Sequence, residues 1–458
     1  MVTAAWVVSA LALALSGLHF YRVRSAAGFL LMVPKLIAGA LSLYIALAGA
    51  AVAFVASAAA LPAVEGALPG LRAGLAVPGA LGALAAWLSS LYAVRAGSPR
   101  ADFAEVFGPE WLERIPAETR RRLPRRGWNW LLPGSPPPVW HRDVTLWRLP
   151  DTDRPLLADI WEPAEGVERS GLAFLYFHGS AWHFLDKDFG TRAFFRHLTG
   201  QGHVVVDVAY RLCPETDLFG MVADVKRAVV WMKENADRYG VDPSRVVVGG
   251  GSAGAHIALL AAYLAGDRGP AHRFTEPDLA GRDTSVAGVV SFYGPTDMRA
   301  CYEHTGARIF NETARLLGAG GAPPGPAGRF LARFLRAAPP RLGHVSVLAE
   351  GVSGIVRNAL GVAPEEAGEL WDLASPTAHV RADVPPTLIF QGDADCLVPV
   401  EATREFYERL RRAGARALYV EYPWTEHAFD LGVVRLSPPA QNAVYHLDRF
   451  LAFLASSS

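Results

Sequence analysis

The stretch "RVVVGGGSAGAHIALL" (245–260) holds two overlapping glycine patterns, and each implies a different chemistry. Gly249, Gly251 and Gly254 fit G-x-G-x-x-G, whose backbone N–H groups cradle a dinucleotide pyrophosphate. Gly250, Ser252 and Gly254 fit G-x-S-x-G, in which a sharp strand-to-helix turn presents a serine hydroxyl as a nucleophile. The cradle should open the first βαβ unit and have an acidic residue at the end of the next strand. Here four candidate strands precede the glycines, and the next strand ends in Tyr293 and Gly294. The serine turn needs a strand, small neighbours and an immediate helix, and this stretch has all three. Ser252 is the candidate nucleophile.

A serine hydroxyl attacks near neutral pH only when a base takes its proton and a third group fixes that base. Two later apolar runs end in loops that could supply both: "PTLIFQG" leads into "DADCLVP", with Asp393 and Asp395, and the last run leads into "WTEHAFD", with His427. His427 is the candidate base because it follows the last strand. His256 lies within the helix after the serine, and His344, His379 and His446 do not directly follow the last strand. A tetrahedral intermediate also needs backbone donors. "FLYFHGSAWHF" supplies a glycine loop after the third strand, so the candidate oxyanion donors are the N–H groups of Gly179, Ser180 and Ala253. His178, Trp182 and Trp424 flank these loops and are candidate pocket residues. His178 and His183 are five apart without acidic or cysteine partners, so no metal site is expected, and no cofactor is implied.

Loops of this kind need a sheet to bring their ends together. Short apolar or β-branched runs occur at 143–149, 156–161, 172–177, 203–210, 245–250, 287–293, 386–392 and 417–423. Several are continuous rather than alternating, as in strands covered on both faces. Helical patterns separate most of them, which predicts right-handed crossovers and an eight-stranded, mostly parallel α/β sheet whose first two strands form a hairpin. Residues 296–383 are too many for a simple connection and predict a cap insertion. Within it "RFLARFLRAAPPRL" has the pattern of a basic amphipathic helix, suited either to lid packing or to a membrane surface.

The front of the chain differs. Residues 1–21, 36–64 and 73–94 carry no Lys, Arg, Asp or Glu, and each run is near or above the ~20 residues that cross a hydrocarbon core. The expected organisation is a membrane section with three transmembrane helices (1–95), a linker (96–139) and an enzymatic domain (140–458). A cleaved signal is disfavoured because "MVTAAW" has no basic residue. Arg22, Arg24 and Lys35 in the first loop, and Arg95, Arg100 and "RRRLPRR" after the third run, place those segments and the large domain on the cytoplasmic side. The arginine run reads as a solvated flank or as a site for anionic membrane lipids. Lys and Arg together number 44 and Asp and Glu 44, a balance that gives no reason to expect nucleic acid. Cys213, Cys301 and Cys396 are too few and too scattered for a disulfide framework. Nothing in the sequence specifies an oligomeric state.

With these residues in place the chain resembles the hormone-sensitive-lipase-like and carboxylesterase branch of the α/β-hydrolase superfamily over roughly residues 140–455. The resemblance rests on "HGSAW", "YRLCPE", "DPSRVVVGGGSAGAH", "GDADCLVP" and "EHAFD". It implies the α/β-hydrolase fold and ester hydrolysis through an acyl-enzyme without metal or organic cofactor, and it puts the acid on Asp395 and the base on His427. The chain departs from the family pattern at Ser180, where a second glycine is usual, and at Gly251, where an acidic residue is common. The apolar front is similar to that of bacterial membrane-anchored esterases and suggests a lipophilic ester. Amide or peptide hydrolysis, and a catalytically silent receptor on the same scaffold, stay open.

Overall fold

The computed structural model describes residues 1–24, 28, 31–61, 69–150, 152–266, 269–304, 329 and 355–456. Its centre is one eight-stranded sheet in the order β1-β2-β4-β3-β5-β6-β7-β8. The strands are β1 (Val139–Arg148), β2 (Pro155–Glu162), β3 (Ala173–Phe177), β4 (Val204–Ala209), β5 (Val246–Gly251), β6 (Gly288–Phe292), β7 (Thr387–Gly392) and β8 (Ala417–Tyr422). β2 runs antiparallel to both β1 and β4, and the other neighbours are parallel. This is the expected α/β-hydrolase arrangement. β1 begins earlier than the run at 143–149 because Val139 pairs with Glu162 and Trp140 stacks on Trp161 at 4.4 Å.

The uninterrupted apolar runs follow from cover on both faces. In β5, Val246 and Val248 enter one core while Val247 enters the other, and in β3 Leu175 and Phe177 oppose Phe174 and Tyr176. The first core is filled from the helices at Leu218–Glu234 and Ala253–Tyr263, the second from those at Arg192–Gly200 and Pro438–Ser456. Alternating residues of one strand thus serve opposite layers, so no polar face is left. Residues 96–139 are not a detached linker: Phe103, Phe107, Ile115 and Leu123 sit in the second core, and Phe107 lies 4.4 Å from the Phe453 ring.

At the front, α1 (Val2–Leu18), α2 (Met32–Ala40), α3 (Ser42–Ala59) and α4 (Pro69–Ala96) form an apolar bundle. Among the described residues two helices are long and apolar enough to cross a membrane, Ser42–Ala59 and Gly70–Ala96, while α1 has 17 residues. The second apolar run is broken at Leu41 (φ −93°, ψ 10°), between α2, which Lys35 ties to Glu426 of the sheet domain, and α3. α3 and α4 interlock at two glycines. A Cβ on Gly49 would stand 2.4 Å from the Gly82 carbonyl, and one on Gly82 2.6 Å from that of Gly49. Small residues at such a crossing let backbones touch. The outward faces carry Phe54 and Trp87, 74% and 61% exposed. Residues 305–328 and 330–354, most of the expected cap and its basic amphipathic segment, lie outside the described residues.

Candidate active site

β5 ends at Gly251, and the chain turns at Ser252 with φ 53° and ψ −123° before the helix Ala253–Tyr263 (α5) begins. A side-chain-bearing residue in that conformation is strained, and the surroundings fix it. The Ser252 N–H donates to the Phe292 carbonyl at 2.9 Å, and the Ser252 carbonyl accepts the N–H of His256 at 3.0 Å. The flanking glycines are set by contact. A Cβ on Gly250 would lie 2.2 Å from the Phe177 carbonyl oxygen, and one on Gly254 2.0 Å from the same atom. The protein's own β3 fills the space beside these glycines, so they do not form an open cradle for a pyrophosphate.

The loops after β7 and β8 leave the same edge of the sheet as β5, the carboxyl ends of parallel strands where such sites assemble. There His427 Nδ1 lies 2.8 Å from Asp395 Oδ2, with both side chains buried. The Asp395 carboxylate also accepts the N–H groups of Leu397 and Val398, each at 2.8 Å, and Gln391 Nε2 at 2.8 Å. Four bonds leave it little freedom to turn. Asp393 faces elsewhere: it accepts the Trp424 N–H at 2.5 Å and pairs with Arg22 at 3.3 Å. Burial pushes the Asp393 carboxyl above its ordinary range, and the Arg22 guanidinium opposes that shift. His427 Nε2 makes no hydrogen bond among the described residues. The Tyr293 ring packs on the imidazole, centroids 4.5 Å apart.

Gly179 lies directly against the turn, since a Cβ there would be 3.2 Å from the Gly251 carbonyl and 3.3 Å from Ser252 Cβ. The N–H groups of Gly179, Ser180 and Ala253 donate to no other described group, which leaves them available to an oxyanion. The Ser180 side chain is buried in a relay. Tyr210 Oη donates to the His178 carbonyl at 2.9 Å, so Ser180 Oγ donates to Tyr210 Oη at 2.5 Å and accepts the Trp182 N–H at 2.9 Å. Serine in place of the usual second glycine thus serves the loop. The other departure also has a contact reason, because a Cβ on Gly251 would be 3.1 Å from Tyr293 Oη and 3.3 Å from Tyr176 Oη. Tyr293 Oη donates to Asp430, whose carboxyl burial lifts to about 6.

The three pocket candidates have other partners. His178 is buried, stacked on Tyr210 at 4.6 Å, and burial lowers it to about 4. Trp182 is buried and donates from Nε1 to His256 Nδ1 at 3.2 Å, and His256 Nε2 donates to the Ala374 carbonyl at 2.8 Å. Trp424 packs edge-on against Phe20 at 4.9 Å, on the side of the apolar bundle.

Two contacts had no counterpart in the sequence reading. Glu426, beside the candidate base, is buried and accepts the Cys396 N–H at 2.9 Å. Lys35, read as a topology-setting charge, is also buried and pairs with Glu426 at 3.1 Å. The motif "EHAFD" contained the glutamate, but no local signal tied it to a lysine 391 positions away. A separate cavity of about 740 Å³ lies next to the end of α4, lined by Arg100, Arg125, Arg126, Arg449, Trp111 and Trp128 among others, with Asp102 the only carboxylate among the described lining residues.

A family model described as BD-FAE matches residues 158–324 and 346–410. Relatives from Mycobacterium tuberculosis include esterase LipC, 29% identical over 310 residues (66% of this chain, 66% of LipC). The probable carboxylic ester hydrolase LipM is 28% identical over 298 residues (64% and 57%). Esterase LipQ is 28% identical over 350 residues (75% and 72%). The matches span just under two thirds of LipC and less of LipM.

Proposed function

The chain belongs to the BD-FAE family, and from that premise we propose that it is a serine carboxylesterase, with Ser252 as nucleophile, His427 as base and Asp395 as the group that orients the base. The family match agrees with the carboxylesterase-branch resemblance seen in the motifs. The observation that carries the assignment is the buried Asp395–His427 hydrogen bond at 2.8 Å on the same sheet edge as the strained turn at Ser252.

In this reading, Asp395 accepts from His427 Nδ1–H and so leaves Nε2 unprotonated toward the serine. Ser252 Oγ attacks the ester carbonyl carbon as its proton passes to His427 Nε2. The oxyanion is held by the N–H groups of Gly179, Ser180 and Ala253. When the tetrahedral species collapses, the C–O bond to the alcohol breaks and the alkoxide leaves with the proton from Nε2. Water then attacks the acyl-serine by the same route, giving the carboxylic acid and free Ser252.

The substrate class we infer is a lipophilic ester drawn from a membrane. Two helices of spanning length, the exposed Phe54 and Trp87, and Trp424 lying against Phe20 support it. The arginine-lined cavity next to α4 suits lipid phosphates, and the basic flanks favour a cytoplasmic position for the large domain. The test is labelling of the detergent-purified full chain with a fluorophosphonate probe. Wild type should label, and Ser252→Ala and His427→Ala should not. Labelling that survives Ser252→Ala would refute the assignment.

A further inference from the structure

The apolar bundle touches the sheet domain at the loops that carry the proposed acid and base. Lys35, in α2, is 3% exposed, and its ammonium donates to the Tyr21 carbonyl at 2.6 Å and to Glu426 Oε1 at 3.1 Å. Glu426 is 2% exposed, and its other oxygen accepts the Cys396 N–H at 2.9 Å and the His427 N–H at 3.4 Å. Cys396 follows Asp395, and Glu426 precedes His427. One carboxylate therefore bridges the backbones of both loops, one residue from each member of the pair. The contact is not isolated. Arg22 donates to the Asp393 carbonyl at 2.7 Å, and Val23 and Met32 pack with Cys396 and Leu397.

A buried carboxylate bonded to two amides still needs a cation, or it leaves for water or takes up a proton. Among the described residues Lys35 is the only cation paired with Glu426. Departure for water would release the Cys396 and His427 amides, and protonation would weaken both bonds by removing the charge, so either would let the two loops shift relative to one another. A displacement of about 1 Å at reacting groups costs on the order of 100-fold in rate.

We propose that Lys35, a residue of the apolar section, is a positioning residue that holds the Asp395 and His427 loops in register through Glu426. The proposal rests on the assignment of Asp395 and His427 as the working pair. It makes the apolar section part of the catalytic apparatus as well as an anchor.

The test uses the full chain in detergent micelles, with active sites counted by fluorophosphonate titration and turnover of a p-nitrophenyl ester measured per titrated site. Lys35→Met should lower kcat per site by roughly 10- to 100-fold with KM within about twofold. Lys35→Arg, which keeps the cation, should recover most of it. Glu426→Gln combined with Lys35→Met should lose less than Lys35→Met alone, because no unpaired buried charge remains. Should Lys35→Met fail to fold, Lys35→Arg against that double variant carries the comparison: per-site kcat must be higher where the cation is kept. Fewer titratable sites, each turning over at the wild-type rate, would reduce Lys35 to a stability role and overturn the proposal. Failure of the triad assignment is read separately, as labelling that persists in Ser252→Ala.

Discussion

Asp395 and Asp393 stand two residues apart on one loop, yet only Asp395 reaches His427, at 2.8 Å, while Asp393 turns to Arg22 and the Trp424 amide. Asp395→Asn should therefore lower kcat by about 10³- to 10⁴-fold, because an amide donating to Nδ1 would favour the wrong tautomer. Asp393→Asn should stay within about tenfold of wild type. Steady-state kinetics on one ester separates the two, and an equal loss in both variants would contradict the division of roles.

Gly251 faces the hydroxyls of Tyr293 and Tyr176. Gly251→Ala should destabilise the fold by about 1–3 kcal/mol through overpacking. Adding Tyr293→Phe should restore part of that, since the nearer oxygen is removed. Thermal melts of the single and double variants measure the coupling, and strictly additive losses would place the clash elsewhere.

His197 Nε2 lies 3.0 and 2.9 Å from the two oxygens of the buried Asp448 carboxylate. Burial alone would lower the imidazole, but the Asp448 charge outweighs it and holds the folded-state value above 6.5. The folded state thus binds this proton more tightly than the unfolded chain. The resulting stability is fully present below pH 6.5 and is lost as pH rises through the raised value. Melting temperature should fall more steeply above pH 6.5 for wild type than for His197→Gln. Parallel curves would refute the pairing.

Replacing Arg100, Arg125 and Arg126 with glutamine removes three of the four arginines named in the wall of the cavity next to α4. Each basic side chain near an anionic surface contributes about 1 kcal/mol. The triple variant should retain less anionic phospholipid on purification, read by native mass spectrometry, with fluorophosphonate labelling unchanged. Equal lipid retention would make these arginines a solvated flank. If inorganic phosphate displaced the lipid in wild type, the site would be a general anion site rather than one specific to a lipid headgroup.

The sheet was legible because its central strands are covered twice: "RVVVGG" has no polar face to hide, and its glycines mark where β3 closes on the turn. That Ser252, Asp395 and His427 lie on the loops that follow β5, β7 and β8 was legible from the sequence. Choosing between Asp393 and Asp395 required a motif, since both precede the same turn and only the side-chain directions differ. The pairing of Lys35 with Glu426 could not be read from the sequence. Next to an apolar run a lysine looks like a topology signal, and its partner becomes visible only once the chain has folded back across 391 positions. Residues 96–139, which end in the Pro/Gly/Trp-rich stretch 127–140, look like a spacer, yet Phe103 and Phe107 sit in the second core.

Hydropathy would divide this chain after residue 95, but its contacts do not. A fragment beginning at 96 would carry Glu426 without Lys35 and Asp393 without Arg22, and would bare Cys396, Leu397 and Trp424 to water. The smallest unit expected to work therefore includes the segment 20–40, and solubilising this protein by trimming its apolar end would remove part of what keeps its loops in place.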